Sequence, residues 1–184
     1  GNIQVAGSYT HKPSGMMFPK AINDFQRVDI YQYDKEGLDV SVGYNLFAPP
    51  RTIIATMYVY PAPKVVSIGS PPSVVTTARY IAAKGEFESR KQEIVQAHPG
   101  ATLIEERDFS LIQAGKTQLG KMATFQYEDI FLNKRQVVEG KVYLFCYVGD
   151  NWIVKYRFSY PKSFDATKEI DDFMRSLSWN ITSP

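Results

Sequence analysis

QVVEGKVYLFCYVGDNWIVKYRFSYPKSFDATKEIDDFMRSLSW, residues 136–179, holds two β-runs, a tight turn and one amphipathic helix. Val137–Val148 and Trp152–Tyr160 are rich in Val, Ile, Tyr and Phe, and Gly149-Asp150-Asn151 between them is turn chemistry. In the second run Trp152, Val154, Tyr156, Phe158 and Tyr160 share one parity, while Lys155, Arg157 and Ser159 take the other. That pattern predicts a strand with one buried and one wetter face. Val142 to Val148 is continuously apolar, so both faces of the first run are expected to be covered. Pro161 ends the ladder because it has no N–H to donate. Beyond it, Ala166, Ile170, Phe173, Met174 and Leu177 repeat at the spacing of one helical face, which predicts a helix over Asp165–Trp179.

Working outward, Phe25–Tyr33 and Leu38–Phe47 form a hairpin through Asp34-Lys35-Glu36-Gly37. Leu38, Val40, Val42, Tyr44 and Leu46 alternate with Asp39, Ser41, Gly43 and Asn45, so the opposite register would place polar or small residues in the core. Thr52–Tyr60 is a third strand, bounded by Pro49-Pro50 and Pro61-Ala62-Pro63, and three strands on short connections favour an antiparallel meander. Pro71-Pro72-Ser73 opens a helix expected over Ser73–His98, and Pro99-Gly100 stops it. Its inner face is expected at Val74, Ala78, Ile81, Ala82 and Gly85, with the charged stretch Glu86–Gln96 exposed. Ala101–Ser110 and Lys121–Leu132 are two further strands, with the chain turning near Ala114-Gly115. Residues 1–14 read as a mobile N-terminal arm, whose neighbouring patch Met16-Met17-Phe18 is expected to dock as an edge strand.

The 184 residues are expected to form one domain, long enough to bury about 70% of the surface of the unfolded chain. Hydrophobic residues at 44% and charged ones at 22% are ordinary for a globular domain, and aromatics at 14% lean towards sheet. A formal charge of +2 without a Lys/Arg run argues against nucleic acid, and no apolar run reaches the ~20 residues of a membrane span. The single Cys146 cannot form an internal disulfide, so cysteine usage does not separate the cytosol from an exported compartment. Gly1 in place of Met is what removal of an N-terminal segment such as a signal peptide leaves, which points to a periplasmic or exported protein, with the cytoplasm as the alternative.

The chemistry-bearing residues are few. His11 sits in the arm and His98 at a helix C-terminus, where a cation is electrostatically comfortable, and no His/Cys spacing matches a zinc site. Cys146 shares parity with Val142, Leu144 and Val148 and reads as a small core residue with a high pKa. Asp165, Glu169 and Asp172, with Asp171 beside them, could hold a hard cation. Lys168 and Arg175 interleave with them, which is the pattern of a solvated ion-pair face instead. Neither a nucleophile elbow, a dinucleotide fingerprint nor a phosphate loop is present. No catalytic, cofactor or metal residue is therefore assigned.

Tyr31, Tyr33, Tyr44, Tyr58 and Tyr60 recur on the first three strands. An uncovered sheet face would turn them into an aromatic binding surface, because tyrosines are effective interface anchors. Packing beneath the two helices with hydroxyls at the rim is the competing expectation, and it is the one preferred.

The strand ending Val154-Lys155-Tyr156-Arg157-Phe158-Ser159-Tyr160-Pro161, paired with the helix ending Phe173-Met174-Arg175-Ser176-Leu177, resembles the PsbP-like and Mog-like α/β/α sandwiches. Phe18-Pro19, Phe25-Gln26-Arg27, Gly37 and Val40-Ser41-Val42-Gly43-Tyr44 are similar to uncharacterised exported bacterial proteins of that kind. The resemblance implies a curved antiparallel sheet between helices, and relatives that assemble, dock or bind and are not enzymes. The expected fold is thus α+β, with a twisted antiparallel sheet of about six or seven strands packed by two main helices. The expected function is non-enzymatic binding or docking in the bacterial cell envelope, with a protein partner. A small-ligand or lipid carrier with an apolar cleft between sheet and helix is the alternative, and a hydrolase the third.

Overall fold

Each apolar–polar alternation becomes a strand in the computed structural model, which describes residues 1–65 and 68–181. In chain order the elements are β1 (Tyr9–His11), β2 (Met16–Phe18), β3 (Ala21–Ile22), β4 (Phe25–Gln32), β5 (Val40–Leu46) and β6 (Ile53–Pro61), then α1 (Pro72–Ala97). β7 (Thr102–Gln113), β8 (Lys116–Phe131), β9 (Lys134–Val148), β10 (Trp152–Pro161) and α2 (Thr167–Ser176) complete the chain. The class is α+β with an antiparallel sheet, as expected, but the sheet is larger. Eight strands run in the order β3-β4-β5-β6-β10-β9-β8-β7, and β1-β2 forms a separate pair. The unforeseen strands β1 and β3 have only two or three residues each, too few to show a period of two, and β2, expected at the edge of the sheet, pairs with β1 instead.

The two helices lie on opposite faces. On the inner face α2 presents Ile170, Phe173 and Met174 to Phe25, Val42, Tyr44, Met57, Phe145, Tyr156 and Phe158 in one core. α2 is shorter than the predicted Asp165–Trp179. Trp179 lies beyond its end, where its Nε1 donates to the Tyr156 hydroxyl at 2.6 Å. Both ends of the sheet reach this helix. Asn23, at the β3–β4 turn, donates to the Ser176 hydroxyl at 3.2 Å. Gln113, closing β7 at the other edge, donates to the carbonyls of Met174 and Leu177 at 3.2 and 3.0 Å. Eight strands laid flat span about 34 Å, three times the ~10–12 Å width of a helix. One helix touches both edges because the sheet is curled around it.

On the outer face α1 packs over β8, β9 and β10 through Phe87 and Ile94, against Ala123, Phe125, Val142, Leu144 and Ile153. The predicted inner face is wrong: Val74 and Ile81 are 49% and 65% exposed. The small residues at 78, 82 and 85 offer little apolar area. The two large apolar side chains at i, i+7 in the charged half decide which way the helix rolls. The charges there remain useful in the plane of the contact, Lys91 pairing with Glu88 and Glu106, and Arg90 with Glu86 and Glu93.

Three irregularities reset the strand parity. Val28 is an extra residue in β4, between the pairs Arg27–Tyr44 and Asp29–Gly43. Ile104 is one in β7, between Leu103–Phe125 and Glu105–Thr124. In β9 the register slips between Trp152–Val148 and Val154–Phe145, with Tyr147 at a φ of 58°. Cys146 accordingly faces α1 while Val148 faces the α2 core, so the two do not share a face as their spacing suggested.

Residues 1–14 run along the β4 edge and onto the hairpin. The Gly1 ammonium donates to the Gln32 carbonyl, Ile3 N–H to the Ile30 carbonyl, and Arg27 to the carbonyls of Phe18, Val5 and Gly7. His11 and Ser14 are sealed, at 0% and 1% exposure. With the Nε2 proton donated to the Leu38 carbonyl at 3.1 Å, Nδ1 accepts from Ser14 at 2.7 Å, and the neutral ring is saturated. Burial lowers the imidazole pKa below its ordinary 6.5, more strongly than the Gly37 and Leu38 carbonyls and Asp34 raise it. A depressed folded pKa means that the unfolded chain takes up the proton first. Stability from His11 is therefore present above pH ~6.5 and lost as pH falls through the folded value. Urea unfolding across pH 7 to 5 should show this loss, and His11→Gln should flatten it. His98, lowered by burial to a lesser depth of cover, leaves a residual slope. An unchanged pH profile in His11→Gln would remove His11 from the account.

Candidate functional site

A curled sheet has a larger outer than inner surface, and α1 covers only the β8–β10 part of it. Among the described residues the outer face of β4 and β5 carries no helix and α1 reaches β6 at Tyr60, so the tyrosines divide across this boundary. Tyr44 faces inward, fully buried against Phe173 with its hydroxyl donating to the Pro19 carbonyl at 2.7 Å; it leaves the predicted surface. Tyr60 lies at the margin of α1 and donates to Glu86 at 2.8 Å; burial, and next the carboxylate, raise its pKa. Tyr58 is part buried. Tyr31 and Tyr33 are 40% and 53% exposed, with rings 4.7 Å apart.

The bulge at Val28 is what turns Tyr31 and Tyr33 outward. By simple alternation they share the face of Phe25, which is in the inner core. One extra residue transfers that core position to Ile30 and sends 29, 31 and 33 to the other side. The Asp34 carboxylate then fixes the turn by accepting the N–H groups of Leu38 and Asp39 at 3.1 and 2.9 Å, and the Tyr33 hydroxyl rests 3.0 Å from Ser41 Oγ.

The register sets out the face in rows across the strands. One row is Tyr31, Ser41, Tyr58, Lys155, and the next is Asp29, Gly43, Thr56, Arg157. Gly43 has no side chain to obstruct Asp29, whose Oδ1 accepts the Gly43 N–H at 3.1 Å; a Cβ there would collide with that oxygen. Lys155, expected on a wet face, is 5% exposed. Its ammonium lies 3.9 Å from the centroid of the Tyr58 ring and 3.8 Å from Glu93 Oε2 on α1. Burial pushes its pKa down to about 8 against the pull of Glu93, and the neighbouring Arg90 and Arg157 add to the fall. The helix roll that brings Glu93 over the sheet is what sequence periodicity did not supply. Two cations alternating inside a strand, at 155 and 157, were the available signal.

The other candidates are placed as follows. Cys146 is packed against the α1 core, and burial together with the Glu86 carboxylate pushes its thiol up to about 12. His98 stacks on Tyr127 at 3.8 Å with Asp129 at 3.5 Å. On α2, Asp172 bonds Lys168 and Arg175 at 2.7 and 2.6 Å, Glu169 pairs with Arg51, and Asp165 accepts from Thr167. Among the described residues no cluster of three His, Cys, Asp or Glu side chains could hold a metal ion, and no helix is long and apolar enough to cross a membrane. A shallow cleft of about 500 Å³ lies between β7 and α2, lined by Phe109, Leu111, Ile112, Asp171, Met174 and Arg175. It is remote from the tyrosines in the sheet order. No protein-family model matches the chain, and no curated protein matches it either.

Proposed function

We propose that this chain is a non-enzymatic docking protein that receives a protein partner on the outer face of β4, β5 and β6. The observation that carries the reading is the exposure of Tyr31 and Tyr33 beside Tyr58, on a sheet surface that α1 borders without covering these two rings. Rigid aromatic side chains on a strand scaffold supply contact area at low conformational cost. Ile54, 43% exposed on the same face, extends the apolar part of the surface. The resemblance to PsbP-like proteins supports the same class of function and a place in the bacterial cell envelope.

A photo-crosslinking residue placed at 31 or 33 in living cells tests the reading. A discrete protein adduct is expected at both positions, and none at 119, whose leucine is 77% exposed elsewhere on the sheet. Tyr31→Ala with Tyr33→Ala should leave the melting temperature near that of the parent and abolish the adduct formed from position 54. Equal crosslinking at 31 and 119, or none at 31 and 33, rejects the docking face.

A carrier is the second reading, and the cleft between β7 and α2 favours it, since its ~500 Å³ falls in the range of small-molecule sites. Native mass spectrometry distinguishes the two. A small molecule that co-purifies with the parent and is lost in Ile112→Glu would support the carrier.

A further inference from the structure

Among the described residues Arg157 is a cation of the outer face without an ion-pair partner. Arg90 has Glu86 and Glu93, Lys91 has Glu88 and Glu106, and Lys155 has Glu93. Among the described residues the Arg157 guanidinium makes no hydrogen bond or ion pair, although the side chain is part buried and its Nε is sealed from water. A lysine can give up its proton when buried, but an arginine cannot. Nε finds no acceptor, while the terminal nitrogens stay open to solvent, where an acceptor brought from outside can reach them.

The register shows where that acceptor would enter. Arg157 ends the row formed with Thr56, Gly43 and Asp29, which holds Gly43, the one position of the open face without a side chain. Tyr58 stands on one side of this row and Ile54 on the other. The row runs about 14 Å across four strands, with the Asp29 carboxylate lying over Gly43 at the β4 end and the guanidinium at the β10 end. Asp29 spends one carboxylate oxygen on the Gly43 N–H and stands three strands from Arg157. With Nε sealed, an incoming carboxylate meets the two terminal nitrogens, end-on, in the forked geometry that arginine offers.

We propose that the docking face takes an acidic peptide segment, whose carboxylate seats on Arg157 while its neighbouring side chains pack on Tyr58, Tyr31 and Tyr33. This rests on the docking reading above and adds the chemistry of the partner. The polarity of the row sets its direction, with the carboxylate at the β10 end and away from Asp29.

Fluorescein-labelled poly-L-glutamate, followed by anisotropy, is the probe, with poly-L-lysine and dextran sulfate as controls. The parent protein should bind poly-L-glutamate and not poly-L-lysine. Arg157→Gln should weaken binding by about ten-fold or more, and Arg157→Lys, which keeps the charge but not the fork, should recover part of it. Lys116→Gln, at the distant β7–β8 turn, should bind like the parent. Circular dichroism and melting of each variant show that the fold is retained. Absence of poly-L-glutamate binding, unchanged binding by Arg157→Gln, or equal binding of dextran sulfate with the same Arg157 dependence overturns the carboxylate site. If crosslinking at 31 and 33 persists in that case, the docking face stands and only its partner chemistry falls.

Discussion

Phe173→Ala is expected to lower the free energy of unfolding by about 3–5 kcal/mol, a large share of the ~5–15 kcal/mol that holds a domain of this size together. Phe173 is completely buried, and its ring centroid lies 4.7 Å from that of Phe25, 5.5 Å from Tyr44, 5.7 Å from Phe158 and 6.3 Å from Tyr156. Those partners come from β4, β5 and β10, so one side chain joins the helix to the middle and one edge of the curled sheet. Truncation removes the burial of a large aromatic side chain and leaves a cavity that four fixed rings cannot collapse to fill. Leu119→Ala, the loss of a leucine that is 77% exposed, should change stability by less than about 0.5 kcal/mol. Denaturant unfolding of both variants against the parent measures the contrast. If Phe173→Ala unfolds at the midpoint of the parent, α2 does not organise the inner core, and the curl of the sheet needs another cause.

Lys155→Met is expected to act in the opposite direction, raising stability by about 1–3 kcal/mol at pH 7. The side chain is 6% exposed and its ammonium faces Glu93 at 3.8 Å, a distance too long for a hydrogen bond. Its pKa of about 8 in the folded chain is depressed from an ordinary value near 10.5. The unfolded chain therefore keeps the proton over the interval between the two values, and unfolding there takes one up. It follows that the penalty is fully present below pH ~8 and fades as pH rises towards ~10.5, with a total on the order of 3 kcal/mol. Methionine fills similar volume over the Tyr58 ring without a charge, and Glu93 keeps Arg90 at 3.0 Å. The advantage of the variant should shrink between pH 7 and pH 10. Buried tyrosines, whose raised pKa values weaken the fold above pH ~10, affect parent and variant alike and cancel in the difference. A loss of more than about 1 kcal/mol at pH 7 would instead show that the Tyr58, Lys155 and Glu93 contacts exceed the desolvation cost. The expected gain bears on function, because a residue retained against stability lies under the proposed docking face, next to Arg157.

The amino-acid sequence by itself determined the features that depend on neighbours a few residues away. The period of two in Val40–Leu46 and Trp152–Tyr160 specified which side chains enter the core, and the structure has Val40, Val42, Tyr44, Val154, Tyr156 and Phe158 fully buried. The spacing of Ile170, Phe173, Met174 and Leu177 identified the buried face of α2, and Ala114-Gly115 marked a turn that the backbone makes with φ of 50° and 75°. The tyrosines were legible as a set but not as a surface. A single bulge at Val28 decides that Tyr31 and Tyr33 face outward, and a bulge leaves no mark in composition or alternation because it inserts a residue without changing residue type. The roll of α1 was equally hidden, since Phe87 and Ile94 outweigh a stripe of small residues only when a sheet surface is there to receive them. The pairing of β6 with β10 brings together strands separated by more than 90 residues, and it places Tyr58 beside Lys155 and Thr56 beside Arg157. Side-chain periodicity acts along one strand, whereas the proposed docking face is assembled across several of them. The curl of the sheet around one helix then leaves that face open.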